Sequence, residues 1–293
     1  MKKALSSIFI PLCLLSGCLP IYRTLNLAPS KKEKEVTFAD EEPNMEYQFY
    51  YSDTTDNEYL RKLRINYGLA ELTADTKDDL EKIKVILDWT HNQWDHSSNN
   101  EPSKFDALTI LEEAKSGQNF RCVEYGIVSS SALTSIGVKS RVLGLMTFDI
   151  EKTRFGAGHV VAESYSRELQ KWVFIDGQYN TIPILGDIPL NAVEFKKAIL
   201  EKDNGLSIVN AAGELPMEDR EKYIDWISKY LFYLDIGFDN RFIPVEEKWR
   251  LNDKPRLCLV PMDADVPTVF QRKRELVHLA YTYNVNDLYH KPN

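Results

Sequence analysis

The stretch from Cys122 to Gly137 limits the fold more than any other part of the chain. Over fourteen positions it is rich in small residues (Gly126, Ser129, Ser130, Ser131, Ala132), with Val123, Ile127 and Leu133 between them. Such a pattern predicts a helix packed closely against neighbouring elements, and Gly137 supplies its C-terminal stop. From Val138 the period changes to that of strands. Residues 140–145 form a β-rich run, 159–165 alternate after Gly156-Ala157-Gly158, and 172–175 follow across the polar turn 166–171. A helix followed by an antiparallel hairpin is an α+β arrangement.

Other elements frame this unit. Thr76 followed by Asp79 matches a helix-start pattern, and Leu80, Ile83, Leu87 and Trp94 recur at roughly helical spacing. A second helix is expected over 106–114, with Leu108 and Leu111 inward and Gly117 past its end. Beyond the hairpin the pattern predicts helices over 220–234, with Tyr223, Trp226, Ile227, Tyr230 and Leu231 on one face, and over 271–281, with a strand at 257–260 between them. No internal repeat is visible.

The N-terminus points to export. Lys2 and Lys3 precede an apolar run from Ala4 to Leu15, followed at once by Ser16, Gly17 and Cys18. A run of this length is too short for the roughly 20 apolar residues that span a bilayer and has the shape of a secretory signal. Leu15-Ser16-Gly17-Cys18 resembles the lipobox of bacterial lipoproteins, which implies cleavage before Cys18, a lipid on Cys18 and a mature chain of 276 residues. With 34 basic and 44 acidic residues, that chain carries a net charge of −10. The acidic balance argues against nucleic acid as a partner. It also leaves the lipid, rather than basic residues, to hold the protein at a membrane, in the extracytoplasmic bacterial envelope. The expected organisation is a signal over 1–17, a lipidated Cys and flexible tether over 18–44, a catalytic domain over 45–190 and a largely helical C-terminal extension packed on it over 191–293. Cys13 leaves with the signal, so Cys122 and Cys258 are the two thiols to explain. A disulfide between them is one option in an oxidising compartment.

The residues around Cys122 favour another. A catalytic thiol needs stabilisation of its thiolate, a base, and a group that orients the base. Cys122 at a helix N-terminus gains the first from backbone N–H groups and the helix dipole. His159 opens one strand and Asp176 follows the next. In an antiparallel hairpin these two positions lie side by side at the open end, within hydrogen-bond reach. His91 and His96 are five apart and share no helical face, so no metal site and no cofactor are expected.

At these residues the sequence resembles the transglutaminase-like superfamily of papain-related thiol enzymes. The matching blocks are Arg121-Cys122-Val123-Glu124-Tyr125-Gly126, Ile136-Gly137-Val138-Lys139-Ser140-Arg141-Val142-Leu143-Gly144, Gly158-His159-Val160-Val161-Ala162-Glu163 and Trp172-Val173-Phe174-Ile175-Asp176. The resemblance implies Cys122 as nucleophile, His159 as general base and acid, and Asp176 as the orienting acid, on a papain-like core. Trp94 resembles the upstream aromatic oxyanion donor of some members, and Gln118 is the papain-like alternative. Val161 stands where the family often has an aromatic, and Gly126 where it favours Ala. The implied reaction is amide cleavage of a peptide or protein substrate, as a peptidase or amidase. The alternatives are acyl transfer from glutamine to an amine and a binding or assembly module of the envelope without turnover.

Overall fold

The computed structural model describes residues 36–53 and 57–292. The expected signal, Cys18 and the tether as far as residue 35 lie outside them. The rest of the expected tether is not free: Ala39 N–H donates to Tyr283 O at 2.8 Å and Asn44 N–H to the Asp287 carboxylate at 2.7 Å. Residues 36–44 therefore belong to the folded body. Pairing through backbone groups leaves no apolar period to read, so no local pattern marks it.

Five helices, α1 (Glu58–Asn66), α2 (Leu69–Leu72), α3 (Asp79–His91), α4 (Ala107–Lys115) and α5 (Cys122–Ser135), precede strands β1 (Ser140–Met146), β2 (Gly158–Ser166), β3 (Lys171–Ile175), β4 (Ile182–Leu185) and β5 (Ile188–Pro189). Then come α6 (Ala192–Glu201), β6 (Leu206–Asn210), β7 (Gly213–Glu214), α7 (Met217–Ser228), β8 (Tyr233–Gly237), β9 (Arg256–Leu259), β10 (Val269–Phe270), β11 (Arg274–Glu275) and β12 (Leu279–Thr282). The main sheet has the order β12-β9-β8-β1-β2-β3 and is antiparallel except where β12 joins β9. A smaller sheet has the order β5-β4-β6-β7.

Strand alternation divides the core. Ala162, Val173 and Ile175 pack with Ile83, Ile86, Ile110 and Val128 of α3, α4 and α5. Their neighbours Val161 and Phe174 point the other way, into a cluster with Phe195 of α6 and Ile227 of α7. The close packing expected of α5 is present: a Cβ on Gly126 would sit 3.0 Å from Val161 O and from Val160 Cγ1. Glycine at this position lets the helix approach β2 more closely than alanine.

The α+β class and the order of elements from α3 to β3 follow the sequence pattern, with two adjustments and two corrections. The helix start is capped by Asp78, whose side chain accepts from Glu81 N at 2.8 Å, rather than by Thr76. The same helix ends at His91, leaving Trp94 in the turn beyond it. The helix expected over 220–234 stops at Ser228, because Tyr233 and Leu234 join β8, where Leu234 pairs with Leu145 and Leu259. An apolar run of that length fits either period, and sheet pairing decides it. The helix expected over 271–281 is absent: Gln271 and Arg272 adopt φ of 51° and 58°, the left-handed pair of a tight hairpin turn joining β10 to β11. The C-terminal region is thus less helical than expected, and three of its strands complete the main sheet.

Among the described residues no helix is long and apolar enough to cross a membrane.

Candidate active site

Cys122 is the first residue of α5, partly exposed, with Glu124 buried two positions on. Glu124 accepts from Arg121 N at 3.0 Å and pairs with the Arg121 guanidinium at 2.8 Å, so its charge is absorbed beside the helix start. The strand register does what the hairpin argument required. β2 and β3 pair from Ala162–Ile175 to Ser166–Lys171, which leaves His159 and Asp176 at the open end. His159 Nε2 lies 2.8 Å from Asp176 Oδ2, and both side chains are buried. Cys122 is near enough to His159 to act on its charge. With Nε2 engaged by the carboxylate, Nδ1 is the ring nitrogen left for the thiol.

Burial by itself disfavours the charged imidazole, but the Asp176 carboxylate and Cys122 outweigh it and raise the His159 pKa to about 9. Asp176 is held from several sides. Its Oδ1 accepts from Gln178 N at 3.0 Å and Tyr179 N at 3.3 Å, and its Oδ2 accepts from the Tyr223 hydroxyl at 3.1 Å as well as from His159. The turn after it is drawn against α5: a Cβ on Gly177 would meet Ser129 Oγ at 2.8 Å and Tyr125 Cβ at 3.2 Å. His91 Nδ1 lies 3.2 Å from Gly177 O on the α3 side.

The two expected oxyanion donors are placed differently. Trp94 is buried, its ring 4.4 Å from that of Tyr125, and its indole Nε1 has no hydrogen-bond partner. Gln118 is exposed, and its Oε1 accepts from Asn100 Nδ2 at 3.2 Å. His96 stands near the pair: burial first, then the charge of His159, lowers its pKa. Among the described residues no group of three or more His, Cys, Asp or Glu side chains is placed to hold a metal ion.

The sequence reading missed the wall that α7 builds over the histidine. Trp226 stands edge-on to His159 at 4.8 Å, Tyr230 lies 5.8 Å from it, and Tyr179 packs on Trp226 at 4.6 Å. In the sequence, Tyr223, Trp226 and Tyr230 mark only an apolar helix face. Their polar tips were the available signal, because buried Tyr and Trp need a partner for O–H or N–H.

Cys122 and Cys258 are both free thiols, so no disulfide joins them. Cys258 is fully buried on β9, and burial, reinforced by Asp235, pushes its pKa well above the ordinary value. Brief treatment of the native protein with iodoacetamide is therefore expected to label Cys122 and spare Cys258 until the chain unfolds. Mass spectrometry of the digested peptides checks this, and fast native labelling at Cys258 contradicts it.

Residues 68–177 match the family model of the Transglutaminase-like superfamily. No curated protein matches the chain. Among solved structures, a Cytophaga hutchinsonii protein proposed to be a cysteine protease is similar at 12% identity and a TM-score of 0.33, over 57% of each chain. A TGase is similar at 17% identity and a TM-score of 0.29, over 41% of this chain and 30% of the other. LapG of Legionella pneumophila is similar at 14% identity and a TM-score of 0.30, over 60% of this chain and 89% of the other. The chain thus spans little more than half of the first of these structures and under a third of the second.

Proposed function

We propose that this chain, whose residues 68–177 match the transglutaminase-like superfamily, is a thiol enzyme that cleaves amide bonds in peptides or proteins. The observation that carries the reading is the buried His159–Asp176 pair, 2.8 Å apart, with Cys122 at the start of α5 acting on the same imidazole. The Cys122 thiolate attacks the amide carbonyl carbon, and the carbonyl electrons move to oxygen. As the tetrahedral intermediate collapses, the C–N bond breaks, the proton on His159 Nδ1 passes to the leaving amine, and a thioester remains. Neutral His159 then takes a proton from water, the hydroxide displaces the thiolate, and the carboxylic acid product departs. Asp176 holds the ring in orientation and stabilises its charged form. The Cys122 backbone N–H and the unpartnered Trp94 Nε1–H are the oxyanion donors in this scheme. The outward-facing Gln118 is not needed for it. The lipobox-like Leu15-Ser16-Gly17-Cys18 supports an enzyme anchored by lipid on the extracytoplasmic side of a bacterial membrane.

Incubation of the protein with a peptide library and a tagged amine tests this directly. Cleaved peptides without tag support hydrolysis, tag incorporation makes the protein an acyltransferase, and neither product leaves a binding module.

The pH profile has a defined sign. A histidine raised from 6.5 to about 9 keeps its proton, and its contribution to stability, below the ordinary value and loses both as pH rises through about 9. The alkaline limb of kcat/KM is expected near pH 9, and Asp176→Asn is expected to move it down, because burial is then opposed by Cys122 alone. An alkaline limb near pH 6.5 in the unmodified protein overturns the assignment of His159.

A further inference from the structure

We infer that Tyr223 is a positioning residue of this site, so that α7, which lies outside the family-matched residues 68–177, completes the catalytic machinery. The inference rests on the thiol-enzyme reading and adds a residue to it. The backbone turn fixes only one oxygen of Asp176, the Oδ1 that accepts from Gln178 N and Tyr179 N. The catalytic oxygen is Oδ2, which accepts from the Tyr223 hydroxyl at 3.1 Å as well as from His159. With one oxygen held by the turn and the other by Tyr223, the carboxylate plane is set before the imidazole docks on it. A hydrogen bond to a charged acceptor is stronger than one between neutral groups, and within a buried site the orientation it imposes is not averaged by water.

The helix that delivers Tyr223 is itself fixed. Ile227 is fully buried, and the buried Lys196 ammonium of α6 donates to Ser228 O at 3.1 Å and Ser228 Oγ at 2.9 Å at the end of α7. One turn along, Trp226 covers the edge of the same imidazole at 4.8 Å. The other titratable groups facing the pair are His96 from the loop after α3, Tyr125 from α5, Tyr179 from the turn after Asp176, and Tyr230, which faces Cys122 from beyond α7.

The test is the pH dependence of Cys122 alkylation by iodoacetamide in the full chain, which needs no known substrate. Acid dissolves the thiolate–imidazolium pair, and the Tyr223 hydroxyl opposes this by keeping Asp176 Oδ2 aligned on the imidazolium. Tyr223→Phe is expected to move the acid limb up by about one pH unit, the size of one charge-assisted hydrogen bond. Replacing Tyr223 with 3-fluorotyrosine, a stronger donor of nearly the same shape, is expected to move it down, and decides the matter if the Phe variant does not fold. In an Asp176→Asn background neither change should have any effect, since Tyr223 acts through that carboxylate. A limb that stays at its wild-type position in the 3-fluorotyrosine protein, or a shift that persists without Asp176, overturns the inference. If the unmodified protein alkylates slowly and His159→Ala leaves its rate unchanged, the thiol-enzyme reading itself falls.

Discussion

Cys122→Ala is expected to abolish turnover, by about 10⁴-fold or more in kcat, while leaving the fold intact. The thiol is only partly buried at the first position of α5, and its removal opens no core cavity. The loss therefore reads as chemistry rather than as unfolding. His159→Ala is expected to be comparably severe, because in the proposed scheme Nδ1 both stabilises the thiolate and protonates the leaving amine. The more searching experiment combines the two. Groups that act as one unit give non-additive losses, so the double variant should be about as inactive as either single one. Single-turnover and steady-state kinetics on a peptide that the wild type cleaves provide the measurement, with thermal unfolding to check the fold. Residual activity of the Cys122→Ala protein near the wild-type level rules out covalent catalysis at this thiol.

The second large effect concerns stability. Arg141 is 1% exposed, and its Nε and Nη2 donate to Glu163 Oε2 at 3.1 and 2.6 Å while Nη1 donates to Leu288 O at 2.7 Å. Its guanidinium lies 4.0 Å from the Trp172 ring centroid and 5.2 Å from that of Tyr289. Glu163, with no exposed surface, uses its other oxygen to accept from Ala192 N at 3.1 Å and Tyr289 OH at 2.9 Å. Both charges are out of water, so the attraction between them offsets a desolvation cost of similar size, and the net worth of the intact pair is small. Breaking it is another matter. Arg141→Met leaves a carboxylate buried without its cation, and the expected loss is about 3–5 kcal/mol, a fall in Tm of roughly 10 °C for a chain of this size. Adding Glu163→Leu should restore part of that loss, though less than all, because Ala192 N and Tyr289 OH then lack an acceptor. Denaturant titration of the two variants checks both statements. A single variant as stable as the wild type shows that water reaches Glu163.

This ion pair also illustrates how far the sequence could be read. Arg141 and Glu163 both fall inside blocks that resemble the family, and the β1–β2 register sets them directly opposite each other. What no local pattern contains is the third party: the chain end at Leu288 and Tyr289 returns over more than a hundred residues to cap the pair. The described segment before residue 45 is ordered for the same reason. Residues 36–44 owe their order to partners at 283–287, and a charge run at 31–35 gave no hint of them.

The sequence by itself determined the helix that begins at Cys122, the hairpin that follows, and the meeting of His159 with Asp176. Each of these depends on short-range physics: a small-residue helix with a glycine stop, a period of two in the strands, and a short turn that fixes register. The tertiary structure decided which side of that hairpin is covered and by what. β8 pairs along the edge of β1 away from β2, and α7, just before it in the chain, comes to lie with Trp226 over His159 and Tyr223 on Asp176. That placement arises from sheet pairing between segments some ninety residues apart in sequence. An amphipathic helix announces that it has an apolar face, but which surface buries that face is settled only when the long-range sheet is built.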